Sequence, residues 1–125
     1  MSRTGAQYID SLRDGRAVYI NGERINNHVD HPAFRNAIRT VANLYDFQAE
    51  NEALMTFRSP GNGHQVNLAW QLPQRQEDLL RRGEAHLAWA RQTGGWLGRS
   101  PDHVPAALAG MMIGIELLEG YDPKR

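Results

Sequence analysis

Residues 75–92, RQEDLLRRGEAHLAWARQ, form the clearest helical pattern in the chain, and the stretch after it, TGGWLGRSPDH, constrains the fold most. Gly94, Gly95 and Gly98 can take backbone conformations closed to other residues, so the helix can end there and the chain can turn sharply. Ser100 then reads as an N-cap, with Pro101 at the first helical position and Asp102 in the first turn. The expectation is a tight corner between two helices, with Arg99 just before the cap and His103 in the first turn of the second. That last helix is expected from about Pro101 to Glu119. Val104, Leu108, Met111, Met112, Ile115 and Leu118 make it apolar around much of its circumference, which demands cover on more than one side. Met111 and Met112 read as adaptable core or interface filling.

Upstream, the pattern alternates short helices with hairpins. In RTGAQYIDSLRDGR, Thr4 can cap a helix whose Tyr8, Ile9 and Leu12 share a face, and Gly15 can end it. AVYINGERI holds two short apolar runs around Asn21-Gly22, the dipeptide that supplies the positive φ values of a tight hairpin. Pro32 suits the first turn of a further helix, and Phe34, Ile38, Val41 and Tyr45 then define a stripe at helical spacing. ALMTFRSPGNGHQVNLAW reads as a second hairpin turning at SPGNG, which leaves His64 solvated. The fold class expected is mainly α with two small β-hairpins, organised as one domain over residues 1–125.

Composition narrows the function. The chain of 125 residues can form one domain burying roughly two-thirds of its unfolded surface. Lys+Arg and Asp+Glu both total 14, which argues against a nucleic-acid partner and, more weakly, against an anionic membrane surface. The absence of cysteine excludes disulfides and thiolate-held metals or clusters within these residues. No membrane span or signal-like apolar run is visible, which fits a cytoplasmic protein.

Several side chains carry chemical alternatives. Arg99 beside a helix start offers a planar cation and partial positive charge, suited to an anion or a phenolate-like oxygen. Local sequence favours the plainer alternative, a corner in which Arg99 caps carbonyls of the preceding helix. Trp70, Trp89 and Trp96 are candidates for an aromatic pocket. Trp89 suits the core, and Trp96, close to Arg99, suits the pocket. His86 reads as packing. Glu77 and Asp78, four residues before Arg81 and Arg82, read as ion pairs on a solvated helix face. His28 and His31 flank Asp30 like a metal motif, but Pro32 makes a helix start the simpler account, and no metal site is expected.

Three segments in register, RTGAQYIDSLRDGRAVYINGERI, HPAFRNAIRTVANLYD and GWLGRSPDH, resemble the amino-terminal domain of the 4-hydroxyphenylacetate 3-monooxygenase large component. The resemblance runs from about Arg3 to Glu119. It implies the amino-terminal helical domain of an acyl-CoA-dehydrogenase-like flavin monooxygenase, a two-component oxygenase that hydroxylates a phenol ring ortho to its hydroxyl. It also implies reduced FAD supplied by an NAD(P)H-dependent reductase, a homo-oligomer that is tetrameric at full length, and a 4-hydroxyphenyl-type substrate. Family members are considerably longer, so most flavin contacts are expected outside these residues. In the family, an arginine matching Arg99 lies beside the phenolic oxygen, and the position matching His103 is usually a tyrosine bonded to that oxygen. The resemblance therefore nominates Arg99 and His103 as catalytic and substrate-binding residues, with Trp96 lining the pocket. An alternative from another class is a non-catalytic helical association module that uses the apolar last helix to pair with itself or with a longer oxygenase.

Overall fold

Thr4 opens the first helix with a reciprocal cap. Its hydroxyl accepts from the Gln7 N–H at 3.2 Å, and the Gln7 side chain accepts from the Thr4 N–H at 2.9 Å. Helix α1 then runs Gly5–Ser11. The structure, a computed structural model, describes residues 2–98 and 100–121, and the chain divides into two units, Met1–Asn51 and Glu52–Arg125.

In the first unit, α1 leads into an antiparallel hairpin of β1 (Val18–Ile20) and β2 (Glu23–Ile25), with Val18 opposite Ile25. Asn21 at φ 51° and Gly22 at φ 84° make the two-residue turn that the Asn-Gly pair predicts. The next helix begins as anticipated around Pro32. The His31 carbonyl accepts from Phe34 and Arg35, both at 2.9 Å, and regular α2 spans Arg35–Glu50.

Helices α1 and α2 meet where Gly5 is buried. The Gly5 N–H donates to Asp46 Oδ1 at 2.8 Å, and a Cβ at this position would lie 2.5 Å from the Ala42 carbonyl oxygen. Tyr8 stacks on Tyr45 with ring centres 5.0 Å apart, and the Arg3 guanidinium stands 5.5 Å from both rings. The anticipated stripe of Phe34, Ile38, Val41 and Tyr45 is only half-buried, whereas Ala42, Leu44 and Gln48 are fully buried. Contact between the two helices is tightest around Ala42. Toward the start of α2, Tyr8, Leu12, Phe34 and Ile38 line an open cleft of about 240 Å³.

The second unit starts with a departure from expectation. Glu52–Met55 is a helical turn, α3, rather than the beginning of a strand. The Thr56 hydroxyl donates to the Glu52 carbonyl at 2.7 Å and closes that turn. The hairpin itself forms as β3 (Thr56–Arg58) and β4 (Gln65–Asn67), closed by Ser59 N–H to the His64 carbonyl, with Gly63 at φ 71°. His64 is exposed. A 3-10 turn, Leu68–Trp70, follows, its Ala69 N–H donating to the Asn67 side chain at 2.8 Å.

Helix α4 covers Gln76–Gln92 and packs on α3 and the 3-10 turn. Met55, Leu68, Ala69, Ala85, Trp89 and Ala109 form the apolar core of this unit. The last helix differs from the single element expected. Helix α5 runs His103–Ile113 and α6 runs Ile115–Glu119. A start at Pro101 would require residue 105 to donate to the carbonyl of residue 101, but Pro105 has no N–H. Regular helix therefore begins where Pro105 falls in the first turn and its missing donor costs nothing. Ser100 instead accepts the His103 N–H through its carbonyl at 3.0 Å. At the other end, Gly114 breaks the run at φ −93°, ψ 17°. Pro105 and Ala109 are the buried residues of α5, which packs on the 3-10 turn. Among the described residues no helix is long and apolar enough to cross a membrane.

Gly5→Ala is expected to destabilise the chain by about 1–3 kcal/mol, because the α1–α2 contact leaves no room for a methyl group. Urea unfolding of the two proteins measures it, and equal midpoints would show that the helices move apart freely.

Candidate functional site

The corner between α4 and α5 is built from both helix ends. At its start, α4 is served by Asp78, whose carboxylate accepts from the Gln74 and Arg75 N–H groups at 3.0 and 3.1 Å. The Gln74 N–H is the main cause of the lowered Asp78 pKa. At its end, the Gly95 N–H reaches back to the Ala90 carbonyl at 2.8 Å and the Gly94 N–H to the Arg91 carbonyl at 3.4 Å. Gly94 and Gly95 both have positive φ, at 60° and 75°. This paired closure is the glycine-dependent stop that the sequence announces.

One face of α4 carries polar groups that the sequence reading places in solvent. Arg82 is only 9% exposed. Its guanidinium donates to the Gln71 carbonyl at 3.2 Å and the Ala69 carbonyl at 3.3 Å. Arg81 donates to the Thr56 carbonyl at 2.9 Å and the Ala53 carbonyl at 3.2 Å. In place of the expected ion pairs, Asp78 serves the helix start and the two guanidiniums answer backbone carbonyls of neighbouring segments. The signal for this was present. Arg82, Ala85, His86 and Trp89 recur at helical spacing, so a buried Trp89 carries Arg82 inward with it.

His86 lies one turn beyond Arg82. Its Nε2 stands 3.7 Å from Asp102 Oδ2, and both Nε2 and Asp102 Oδ1 are buried without a hydrogen-bond partner. His86 is therefore more than packing. Burial pushes its pKa below the ordinary value; Asp102 opposes that shift and Arg82 adds to it.

The residues nominated from sequence differ in setting. His103 is the first residue of α5, directly after Asp102, and is exposed. Trp96 is 92% exposed, with its N–H held by the Thr93 carbonyl at 3.1 Å. Arg99 lies outside the described residues. Trp89 is buried, as its position suggested. The aromatic cleft of this unit forms around Trp70 instead, a space of about 690 Å³ lined by Phe57, Val66, Trp70 and Leu72 with Arg58 and Gln71. In the first unit, His31 Nδ1 accepts the Ala33 N–H at 3.2 Å, while Asn27 and Arg13 hold Asp30 at 2.8 and 3.4 Å. These groups serve the start of α2, in line with the structural reading of the histidine motif.

The corner presents an imidazole able to donate or accept a hydrogen bond at an open helix start. A dinucleotide pyrophosphate would require a free helix start or nest with a cation to spare. Asp46 and Thr4 occupy the start of α1, His31 that of α2 and Asp78 that of α4, and the Asp102 carboxylate flanks that of α5. The starts of α1 and α4 are thus taken by the chain's own acceptors, whereas that of α5 carries no side-chain hydrogen bond.

A family profile described as "4-hydroxyphenylacetate 3-hydroxylase N terminal" matches residues 4–125. The chain is 39% identical over 123 residues to a 4-hydroxyphenylacetate 3-monooxygenase oxygenase component from Geobacillus sp. (strain PA-9), covering 98% of this chain and 25% of that protein. It is 44% identical to the oxygenase component of a 4-nitrophenol 2-monooxygenase from Rhodococcus sp., covering 80% of this chain and 20% of that protein. Among solved structures, the oxygenase component (HpaB) of 4-hydroxyphenylacetate 3-monooxygenase complexed with FAD superposes with a TM-score of 0.80 at 35% identity, over 88% of this chain and 23% of that one. A 4-hydroxybutyryl-CoA dehydratase from N. maritimus shares the fold at a TM-score of 0.65 and 35% identity, over 75% of this chain and 19% of that one. The chain thus spans about a quarter or less of the length of these relatives.

Folded His86 takes up a proton less readily than the same residue in the unfolded chain, whose ordinary value is 6.5. It therefore contributes stability that is full above that value and is lost as pH falls through the lowered one. Unfolding by urea is expected to become easier from about pH 7 to about pH 5, and His86→Gln to flatten part of that slope. An unchanged slope would show that another group governs it.

Proposed function

The chain belongs to the 4-hydroxyphenylacetate 3-hydroxylase amino-terminal family, and on that basis we propose that it is the amino-terminal domain, residues 1–125, of a two-component phenol monooxygenase acting in the cytoplasm. The observation that carries this is similarity over nearly the whole chain to oxygenase components named for 4-hydroxyphenylacetate and 4-nitrophenol. One related structure is complexed with both FAD and 4-hydroxyphenylacetate. In this function a separate NAD(P)H-dependent reductase provides reduced FAD, which when bound supplies the oxygen-transferring chemistry. Most flavin contacts then fall in parts of the oxygenase outside the described residues. The full-length assembly is a homo-oligomer.

The chain's own part is to hold the phenol. Arg99, a permanent cation, binds the phenolic oxygen and favours its ionised form. Ionisation moves electron density onto the ring carbon ortho to that oxygen, where hydroxylation occurs. His103 hydrogen-bonds the same oxygen or takes its proton, and Trp96 flanks the ring. With histidine at a position that is usually tyrosine in the family, either the substrate is an altered phenol or the site no longer serves phenols.

In a full-length oxygenase, Arg99→Ala is expected to weaken phenol binding roughly 10- to 100-fold, the loss of a charge-assisted hydrogen bond, with flavin binding retained. His103→Tyr is expected to shift preference toward 4-hydroxyphenylacetate. Unchanged turnover in Arg99→Ala refutes the role of Arg99.

A second function has its own support. Val104, Met111 and Leu117 are 59%, 59% and 69% exposed, so the apolar circumference of α5 and α6 is uncovered within the chain. Such a surface suits association with a copy of the chain or with a longer oxygenase. Sedimentation of the isolated chain is expected to show concentration-dependent self-association if this is its role, and a monomer at all concentrations if it is not.

A further inference from the structure

In the second unit, Nε2 of His86 on α4 and Oδ1 of Asp102 before α5 are buried without hydrogen-bond partners, and the other oxygen of the same carboxylate, Oδ2, stands 3.7 Å from that Nε2. A buried carboxylate oxygen left without a donor is costly, and an N–H directed at it recovers much of that cost. At 3.7 Å, a small rotation of either side chain brings the pair to hydrogen-bonding distance.

We propose that His86 is a positioning residue for the α4–α5 corner: its imidazole holds the Asp102 carboxylate, and through it fixes the first turn of α5 and the direction in which His103 is presented. This rests on the assignment of that corner as the phenol-binding wall. The mechanical links are short on both sides. On α4, His86 follows Arg82, whose guanidinium is fixed to two carbonyls, and it lies between buried Ala85 and Trp89. On α5, Asp102 directly precedes His103, and its carbonyl accepts the Ala106 N–H at 2.9 Å. A shift of Asp102 therefore moves the helix start and His103 together.

The pair also sets the form of the imidazole. A carboxylate facing Nε2 selects the neutral tautomer with its proton on that nitrogen. When the ring gains a second proton, the contact becomes an ion pair and tightens. The charges that act on His86 are Asp102 and Arg82. Of the elements packed against α4, the 3-10 turn Leu68–Trp70 has no titratable side chain and α3 has only Glu52.

The test is nitrogen-resolved NMR of the isolated chain in a His103→Gln background, which leaves His86 as the titrating side chain of the corner. The His86 ring is expected as the Nε2–H tautomer, and the Val104 and Ala106 amides are expected to shift with the His86 midpoint. Asp102→Asn is expected to lower that midpoint and abolish the amide response. His86→Gln, which keeps an N–H donor, is expected to preserve the α5 amide positions, whereas His86→Leu displaces them. An Nδ1–H tautomer, amides indifferent to His86, or identical spectra for the Gln and Leu variants would overturn the proposal. If Asp102→Asn does not fold, the two His86 variants still decide. Phenol binding enters none of these readouts. Failed coupling alongside an effect of Arg99→Ala removes only the positioning role, and intact coupling without that effect removes only the phenol assignment.

Discussion

The second unit depends on a guanidinium buried against backbone. Where the 3-10 turn gives way to extended chain, the carbonyls of Ala69 and Gln71 have Arg82 as their donor. Its planar fork can serve two such acceptors at once from a single side chain, which an ammonium on a flexible stem does less well. Arg82 thereby joins α4 to the turn, and α5 packs on the same turn through Pro105 and Ala109. Both helices take their places from one short segment. The corner between them inherits its geometry from a contact that lies a full helical turn from His86 and farther still from Gly94.

The same logic of answering backbone groups locally runs through the first unit. Asp46 accepts from Gly5, Thr4 and Gln7 cap each other, and His31 serves the residues after Pro32. The start of α1 is occupied by acceptors from the chain itself, so partial positive charge there stabilises the fold. The open features are of another kind. They are the exposed imidazole of His103, the aromatic cleft at Trp70 and the apolar faces of α5 and α6.

His103 gives the family assignment its specific content. A tyrosine at the first turn of α5 would present a hydroxyl, whereas histidine presents a ring nitrogen on a shorter side chain and can carry charge. Asp102, the residue before His103, has its carboxylate 3.7 Å from the His86 imidazole. Of the two histidines near this corner, His103 is exposed and His86 is half-buried.

Local grammar was legible from the sequence alone. The Thr4 cap, the Asn21-Gly22 turn, the SPGNG hairpin and the Gly94-Gly95 stop all follow from backbone preferences confined to a few neighbouring residues, and all appear. The mainly helical fold with two hairpins follows from the same signals, and the GWLGRSPDH motif with its two companions carried the family. What failed to read through were features settled at a distance. Pro105 moved the start of α5 to His103 because a missing N–H matters only once the helix register is set. Arg82 turned inward to donate to the carbonyls of Ala69 and Gln71, and His86 met Asp102 where the chain turns from α4 toward α5. Sequence determined where each element could begin and end. Tertiary structure decided which polar groups had to find each other, since the cost of a buried, unanswered hydrogen-bonding group exists only after burial.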